Sequence, residues 1–245
     1  MPKDESQRLT WFGTYPEDSA KIAAFERGMA KHLQRDLDQL AKDLLTMGAL
    51  VEDATNRAIN ALVRRNRALA HEVTVGDEAI DDRENQIEES ALKIIALHQP
   101  VATDLRFIIT ALKVNNDLER IGDHAVSIAE RAEMLADLPS IPLPDDFSRL
   151  VEIVQRMVHD SLNALVERNA QLARSVCMSD DEVDRIHRLM YSAMQSVMKE
   201  RPEYIESAIN TISATRHMER IADLATNIAE DVVFMVEGEI LRHNY

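Results

Sequence analysis

The chain has 245 residues, is 45% hydrophobic and carries a formal net charge of −15, so it is long enough for one large domain or two small ones. The acidic balance disfavours non-specific binding to nucleic acid or to an anionic membrane surface, and it suits cations and basic partner surfaces. A single cysteine, Cys177, excludes an internal disulfide and a Cys-based metal site, and 6 Gly and 7 Pro leave too little punctuation for a β protein.

Residues 1–24, with Trp11, Gly13 and Pro16, lack a clean helical period and read as an ordered arm or a disordered tail. A helical pattern then runs from Phe25 to about Val73. Gly76 breaks it, and Asp77 is placed to cap the next helix, which reaches His98. Pro100 interrupts, and a third helix covers Val101 to Ala136. Pro139, Pro142 and Pro144 cannot all sit inside a helix, so 138–144 reads as a linker. Helices at 145–177, 180–200 and 202–240 follow, with a short tail at 241–245. No stretch of about 18 apolar residues occurs and the N-terminus has no signal-peptide pattern, so a cytoplasmic, soluble protein is expected.

The second set of helices repeats the first. Ala58-Ile-Asn-Ala-Leu-Val-Arg-Arg-Asn66 aligns with Ser161-Leu-Asn-Ala-Leu-Val-Glu-Arg-Asn169. Leu118-Glu-Arg-Ile-Gly-Asp123 aligns with Met218-Glu-Arg-Ile-Ala-Asp223, and Ile128-Ala-Glu130 with Ile228-Ala-Glu230. Three blocks in one order indicate duplication, at a period too long for a solenoid. The expected fold is all-α: two tandem antiparallel three-helix bundles at 25–137 and 145–240.

At 100° per residue, Phe107, Ala111, Val114, Leu118, Ile121, Ala125 and Ala129 form one apolar stripe on the third helix. Glu119 and Asp123 lie roughly 140° from its centre and project from one side of the helix. Glu219 and Asp223 repeat them on the sixth helix. The preceding helices add Asp77 and Asp81 in one copy and Asp180 and Asp184 in the other, with His187 one turn on. Adjacent antiparallel helices would bring these pairs together. Clustered carboxylates with an occasional imidazole suit Mg²⁺, Mn²⁺ or Fe, and Zn²⁺ less well without Cys. The competing reading is a solvated acidic face salt-bridged by Arg120 and Arg220. The sequence has no Gly-rich phosphate loop, no Gly-x-Ser-x-Gly, no His-Glu-x-x-His and no Glu-x-x-His, so a carboxylate-bridged metalloenzyme is the weaker alternative beside a purely structural helical adaptor.

Leu97-His-Gln-Pro-Val-Ala-Thr-Asp-Leu-Arg106, then Asn116-Asp-Leu-Glu-Arg-Ile-Gly-Asp-His124, and the second Met218-Glu-Arg-Ile-Ala-Asp223 resemble the signature of the PhoU family of phosphate-uptake regulators. The likeness runs from about Phe25 to Glu239. It implies two three-helix bundles that bind iron, manganese, magnesium or zinc through Glu/Asp-x-x-x-Asp motifs. Carried over by position, Glu119, Asp123, Glu219 and Asp223 are implied ligands, joined by Asp77, Asp81, Asp180 and Asp184. Asp104 and Arg106 are left out, because Glu200-Arg-Pro-Glu-Tyr-Ile-Glu206 replaces their motif in the second copy. The resemblance further implies a dimeric, non-enzymatic negative regulator. Its partners would be the ATPase subunit of the phosphate ABC transporter and the phosphate sensor histidine kinase, with no nucleic acid and with membrane contact only through those partners.

Overall fold

A computed structural model describes residues 16–238, with side chains from Lys31 onward. The elements are α1 (Pro16–Arg64), α2 (Arg67–Gly76), α3 (Glu78–His98), α4 (Ala102–Asp137), α5 (Asp146–Glu167), α6 (Ala170–Cys177), α7 (Asp180–Glu200) and α8 (Ile205–Glu237). One 3-10 turn at Pro202–Tyr204 precedes α8. No strand occurs among the described residues.

Several boundaries differ from those read in the sequence. The first helix begins at Pro16, not Phe25, so 16–24 are helix rather than arm; proline suits a first helical turn, where its missing N–H has no intrahelical acceptor. Residues 1–15 and the expected tail at 241–245 lie outside the described residues. The last helix stops at Glu237, where Gly238 takes φ 78 and its N–H donates to Phe234 O, a left-handed cap that glycine adopts without strain. Asp77 does follow Gly76, but it lies in right-handed helical space and its side chain caps nothing.

The helix expected at 25–73 is broken, as is its repeat at 145–177. Arg65 and Arg168 take φ 52 and 51, which ends the i→i−4 ladder. The next residue in each copy restarts it: Asn66 Oδ1 accepts from Leu69 N at 3.2 Å, and Asn169 Oδ1 from Leu172 N at 3.0 Å. These are N-caps that satisfy an otherwise orphaned donor. The repeated Asn that marked the duplication is therefore the residue that restarts the helix after the bend in both copies. Replacing Asn66 or Asn169 by Ala is expected to destabilise by about 1 kcal/mol, read as a fall of about 2–4 °C in the thermal midpoint.

Two antiparallel three-helix bundles result. In the first, α1 and its continuation α2 pack with α3 and α4; in the second, α5 and α6 pack with α7 and α8. The bundles meet along α4 and α8, which form the most extensive helix pair in the molecule. These two helices run in opposite directions. Arg106 near the start of α4 stacks 5.9 Å from the Phe234 ring near the end of α8, Lys113 Nζ binds Asp231 Oδ1 at 2.7 Å, and His124 Nδ1 lies 3.3 Å from His217 Nδ1. One continuous buried cluster includes residues of both bundles.

Shared packing explains why α4 is buried beyond its predicted stripe. Ala111, Val114, Leu118, Ile121, Ala125 and Ala129 are buried as expected, but so are Thr110, Asn115, Gly122, Ile128 and Ala132. Phe107 is only partly buried and lies under the Arg168 guanidinium at 5.9 Å. The linker is held from both sides. Arg65 Nη1 donates to Leu138 O at 2.7 Å, and Ser207 Oγ donates to Pro139 O at 2.8 Å. Among the described residues no helix is long and apolar enough to cross a membrane.

Candidate metal centres

In the first bundle the start of α3 lies against the middle of α4. A Cβ on Gly122 would meet Ile80 Cδ1 at 3.2 Å and Asp77 Oδ1 at 3.5 Å, so the missing side chain permits this close approach. Asn115 Nδ2 donates to the Glu84 carbonyl oxygen at 3.0 Å and ties the next turns of α3 to α4. Asp77, Asp81 and Glu84 therefore share a groove with Glu119 and Asp123.

Electrostatics show the crowding. Burial first, and then the charges of Asp81 and Asp123, push the Asp77 carboxyl up to about 6. Burial also raises Glu119, with Asp123, Glu84, Asp81 and Asp77 all adding to it. Asp123 is raised by burial and Asp81, and Glu84 by burial, Glu88 and Asp81. Each carboxylate is partly desolvated beside others of its own sign, which disfavours the charged form.

The second bundle repeats the arrangement with α7 and α8. Asp180 is pushed up to about 6 by burial, then by Asp223 and Asp184; Thr226 Oγ1 donates to it at 3.5 Å. Glu219 is raised by burial and Asp223, against the lowering influence of Arg220 and His187. Asp223 is raised by burial, while Arg220 and His187 act to lower it. Arg220 Nη1 donates to Asp223 Oδ2 at 3.0 Å. Glu219 Oε2 is buried and accepts no hydrogen bond; the Arg220 Nε is 3.5 Å away. A buried acceptor without a partner costs about 1–3 kcal/mol, more when charged, and a cation would relieve it.

All eight acidic residues singled out in the sequence fall in these two grooves, four in each. Glu84 and His187, which stand outside the expected ligand set, join these groups and act on Glu119 and on Glu219 and Asp223 respectively. Both sit seven residues beyond the first acid of their helix (Asp77, Asp180), a spacing that returns to the same helical face. Among the described residues no three His, Cys, Asp or Glu side chains form a ready-made coordination shell. The carboxylates interact along two helix faces without their oxygens converging on one point. The donor set itself, carboxylates with one imidazole, matches hard and borderline divalent ions. A cleft of about 650 Å³ opens beside the second cluster, lined by Arg120, His124, Asp180, Arg220 and Asp223, and gives it solvent access.

The residues set aside in the sequence have structural places. His98 closes α3 and binds Asp36 at 3.0 Å. Arg106 stacks on Phe234 beside Gly238, at the negative end of the α8 dipole. Its motif has no second copy, and the start of α8 meets the linker, with Ser207 Oγ on Pro139 O.

A family model described as "PhoU domain" matches residues 44–132 and 147–232. The chain is 38% identical over 213 residues to the phosphate-specific transport system accessory protein PhoU homolog of Aquifex aeolicus, covering 87% of this chain and 96% of the relative. It is likewise 38% identical over 216 residues to the homolog of Pseudomonas aeruginosa, covering 88% of this chain and 89% of the relative. Among solved structures, PhoU from Pseudomonas aeruginosa superposes with a TM-score of 0.82 at 39% identity, covering 84% of this chain and 99% of that one. The phosphate transport system regulatory protein PhoU from Streptococcus pneumoniae gives 0.79 at 27% identity, covering 85% and 99%.

Proposed function

The chain belongs to the PhoU family, and from that premise we propose that it is a cytoplasmic, non-enzymatic accessory protein that restrains phosphate transport and phosphate-regulon signalling. Its partners are the ATPase subunit of the phosphate ABC transporter and the phosphate sensor histidine kinase. It works as a homodimer and reaches the membrane only through those partners. The role in phosphate transport follows from the names of the relatives, which are accessory proteins of phosphate-specific transport systems.

Metal ions act as structural cofactors in this reading. Glu119, Asp123, Asp77 and Asp81 hold one, and Glu219, Asp223, Asp180 and Asp184 hold the other. Mg²⁺, Mn²⁺, Fe and Zn²⁺ are the candidate ions. The supporting observation is the repetition, on equivalent helices, of partly buried carboxylates that carry raised pKa values and too few counter-charges. A bound cation supplies positive charge at the point of repulsion. The residues then draw α3 against α4 and α7 against α8, and so set the outer faces of the bundles that partners read.

Phosphate uptake in cells that lack their own family member tests the role. Expressing this chain is expected to lower uptake when phosphate is plentiful. Glu119→Gln with Asp123→Asn, Glu219→Gln and Asp223→Asn is expected to release it. Full restraint by this variant would mean that the acids are ordinary surface and the protein a structural adaptor. Uptake unaffected by the native chain would remove the transport role.

A further inference from the structure

A row of side chains runs along α4 at steps of four and three: Leu105, Ile109, Leu112, Asn116, Glu119 and Asp123. Such steps keep to one side of a helix. The equivalent row on α8 reads Ile205, Ile209, Ile212, Arg216, Glu219 and Asp223. Each row is apolar toward the start of its helix and acidic toward the middle. Leu112 and Ile212 pack against buried residues, but the apolar pair before each does not sink with them. Leu105 is 38% exposed, Ile109 39%, Ile205 42% and Ile209 54%.

Both rows open on the same side of the molecule. α4 and α8 are antiparallel neighbours, and the rotation that exchanges two such helices is normal to the layer they form. One cleft of about 610 Å³ is lined by Leu112 and Asn116 of the first row and by Asn227 and Glu230, which continue the second. The start of α4 lies level with the end of α8, through Arg106 and Phe234. At 1.5 Å per residue the two apolar patches are therefore about 40 Å apart, with the acids between them. Grouped apolar side chains left open on one face mark an interaction site. A second copy of this chain is a poor cover. It would set these acids against acids, in a chain of net charge −15, and like charges placed face to face suppress a pairing. A divalent ion in each groove would still leave its four carboxylates negative.

We propose that this face of α4 and α8 docks a basic protein partner made of two like subunits. Each subunit seats one apolar patch and sets its Lys and Arg side chains over the acids between. The inference rests on the transporter-partner reading above and deepens it by assigning the contact surface. The paired ATPase subunits of an ABC transporter offer a partner of this symmetry.

Surface plasmon resonance with the full-length chain immobilised tests this. The two probes are the isolated ATPase subunit of the phosphate transporter and the assembled transporter in detergent. Leu105→Ser with Ile109→Ser removes the first patch, and Ile205→Ser with Ile209→Ser removes the second. All four positions are on the surface, so the helical circular dichroism is expected to stay native. Docking at two points predicts that either pair weakens binding to the assembled transporter by about 100-fold, and to the isolated subunit by no more than about twofold. All four changes together are expected to abolish both. Val63→Ser with Val166→Ser is the control: both are exposed and repeated, but they stand singly on α1 and α5, and neither binding should change. Native binding by the fourfold variant overturns the proposal, as does an effect confined to one patch. Loss of self-association with transporter binding intact would also overturn it and make the face a contact between copies. A native chain that binds neither probe removes the partner reading, and this inference with it.

Discussion

Asp77→Asn combined with Asp180→Asn raises the thermal midpoint of the metal-free protein at pH 7. Both carboxyls are pushed from 3.8 up to about 6, by burial first and by neighbouring aspartates second. A group whose pKa is higher folded than unfolded contributes stability that is present below the unfolded value and lost as pH rises through the folded value. The loss therefore spans about pH 4 to 6, and at pH 7 both charges work against the fold. Two pKa units would be about 2.7 kcal/mol per site in a fully buried setting. Both groups are partly exposed, and solvent screening reduces this to about 1 kcal/mol each. The double variant should gain roughly 4–8 °C at pH 7, with the gain fading toward pH 4. Added divalent metal should reverse the order, stabilising the native chain and not the variant. Thermal melts from pH 4 to 8, with and without metal, check all of this. A variant no more stable than the native protein at pH 7 would mean that the carboxylates are solvated and do not repel.

Leu118→Ala is the most damaging single change expected. Leu118 has no exposed surface, and it lies on α4, the helix that packs with its own bundle and with α8. Truncating a buried leucine loses transfer energy and leaves a cavity, together about 2–5 kcal/mol. Because one buried cluster includes both bundles, the loss should lower a single unfolding transition and not split off the first half. Calorimetry showing two separate transitions, with only the lower one moved, would contradict the continuous core.

The helical class, the duplication and the linker were legible because they rest on periodicity, punctuation and residue identity. Pro139, Pro142 and Pro144 do stand between the copies. The bends at Arg65 and Arg168 were not legible: neither residue is glycine, and the left-handed turn is visible only through the Asn cap that follows it. The breadth of burial on α4 was hidden for a different reason. A helical wheel finds one apolar face, whereas Thr110, Asn115 and Gly122 are buried because further helices cover them. Glu119 and Asp123 lie off the apolar stripe as expected, with Glu119 half-buried beside α3 and Asp123 exposed at the edge of the same groove. Glu84 and His187 stood outside the expected ligand set because an Asp-x-x-x-Asp motif stops one turn short of them.

Elemental analysis of the purified protein after equilibration with excess divalent metal and dialysis tests the central claim most directly. The native chain is expected to retain an ion at each cluster. The variant carrying Glu119→Gln, Asp123→Asn, Glu219→Gln and Asp223→Asn is expected to retain neither, while keeping the native helical circular dichroism. Equal metal content in the two proteins would contradict the assignment of the repeated Glu-Arg-Ile-x-Asp carboxylates as ligands.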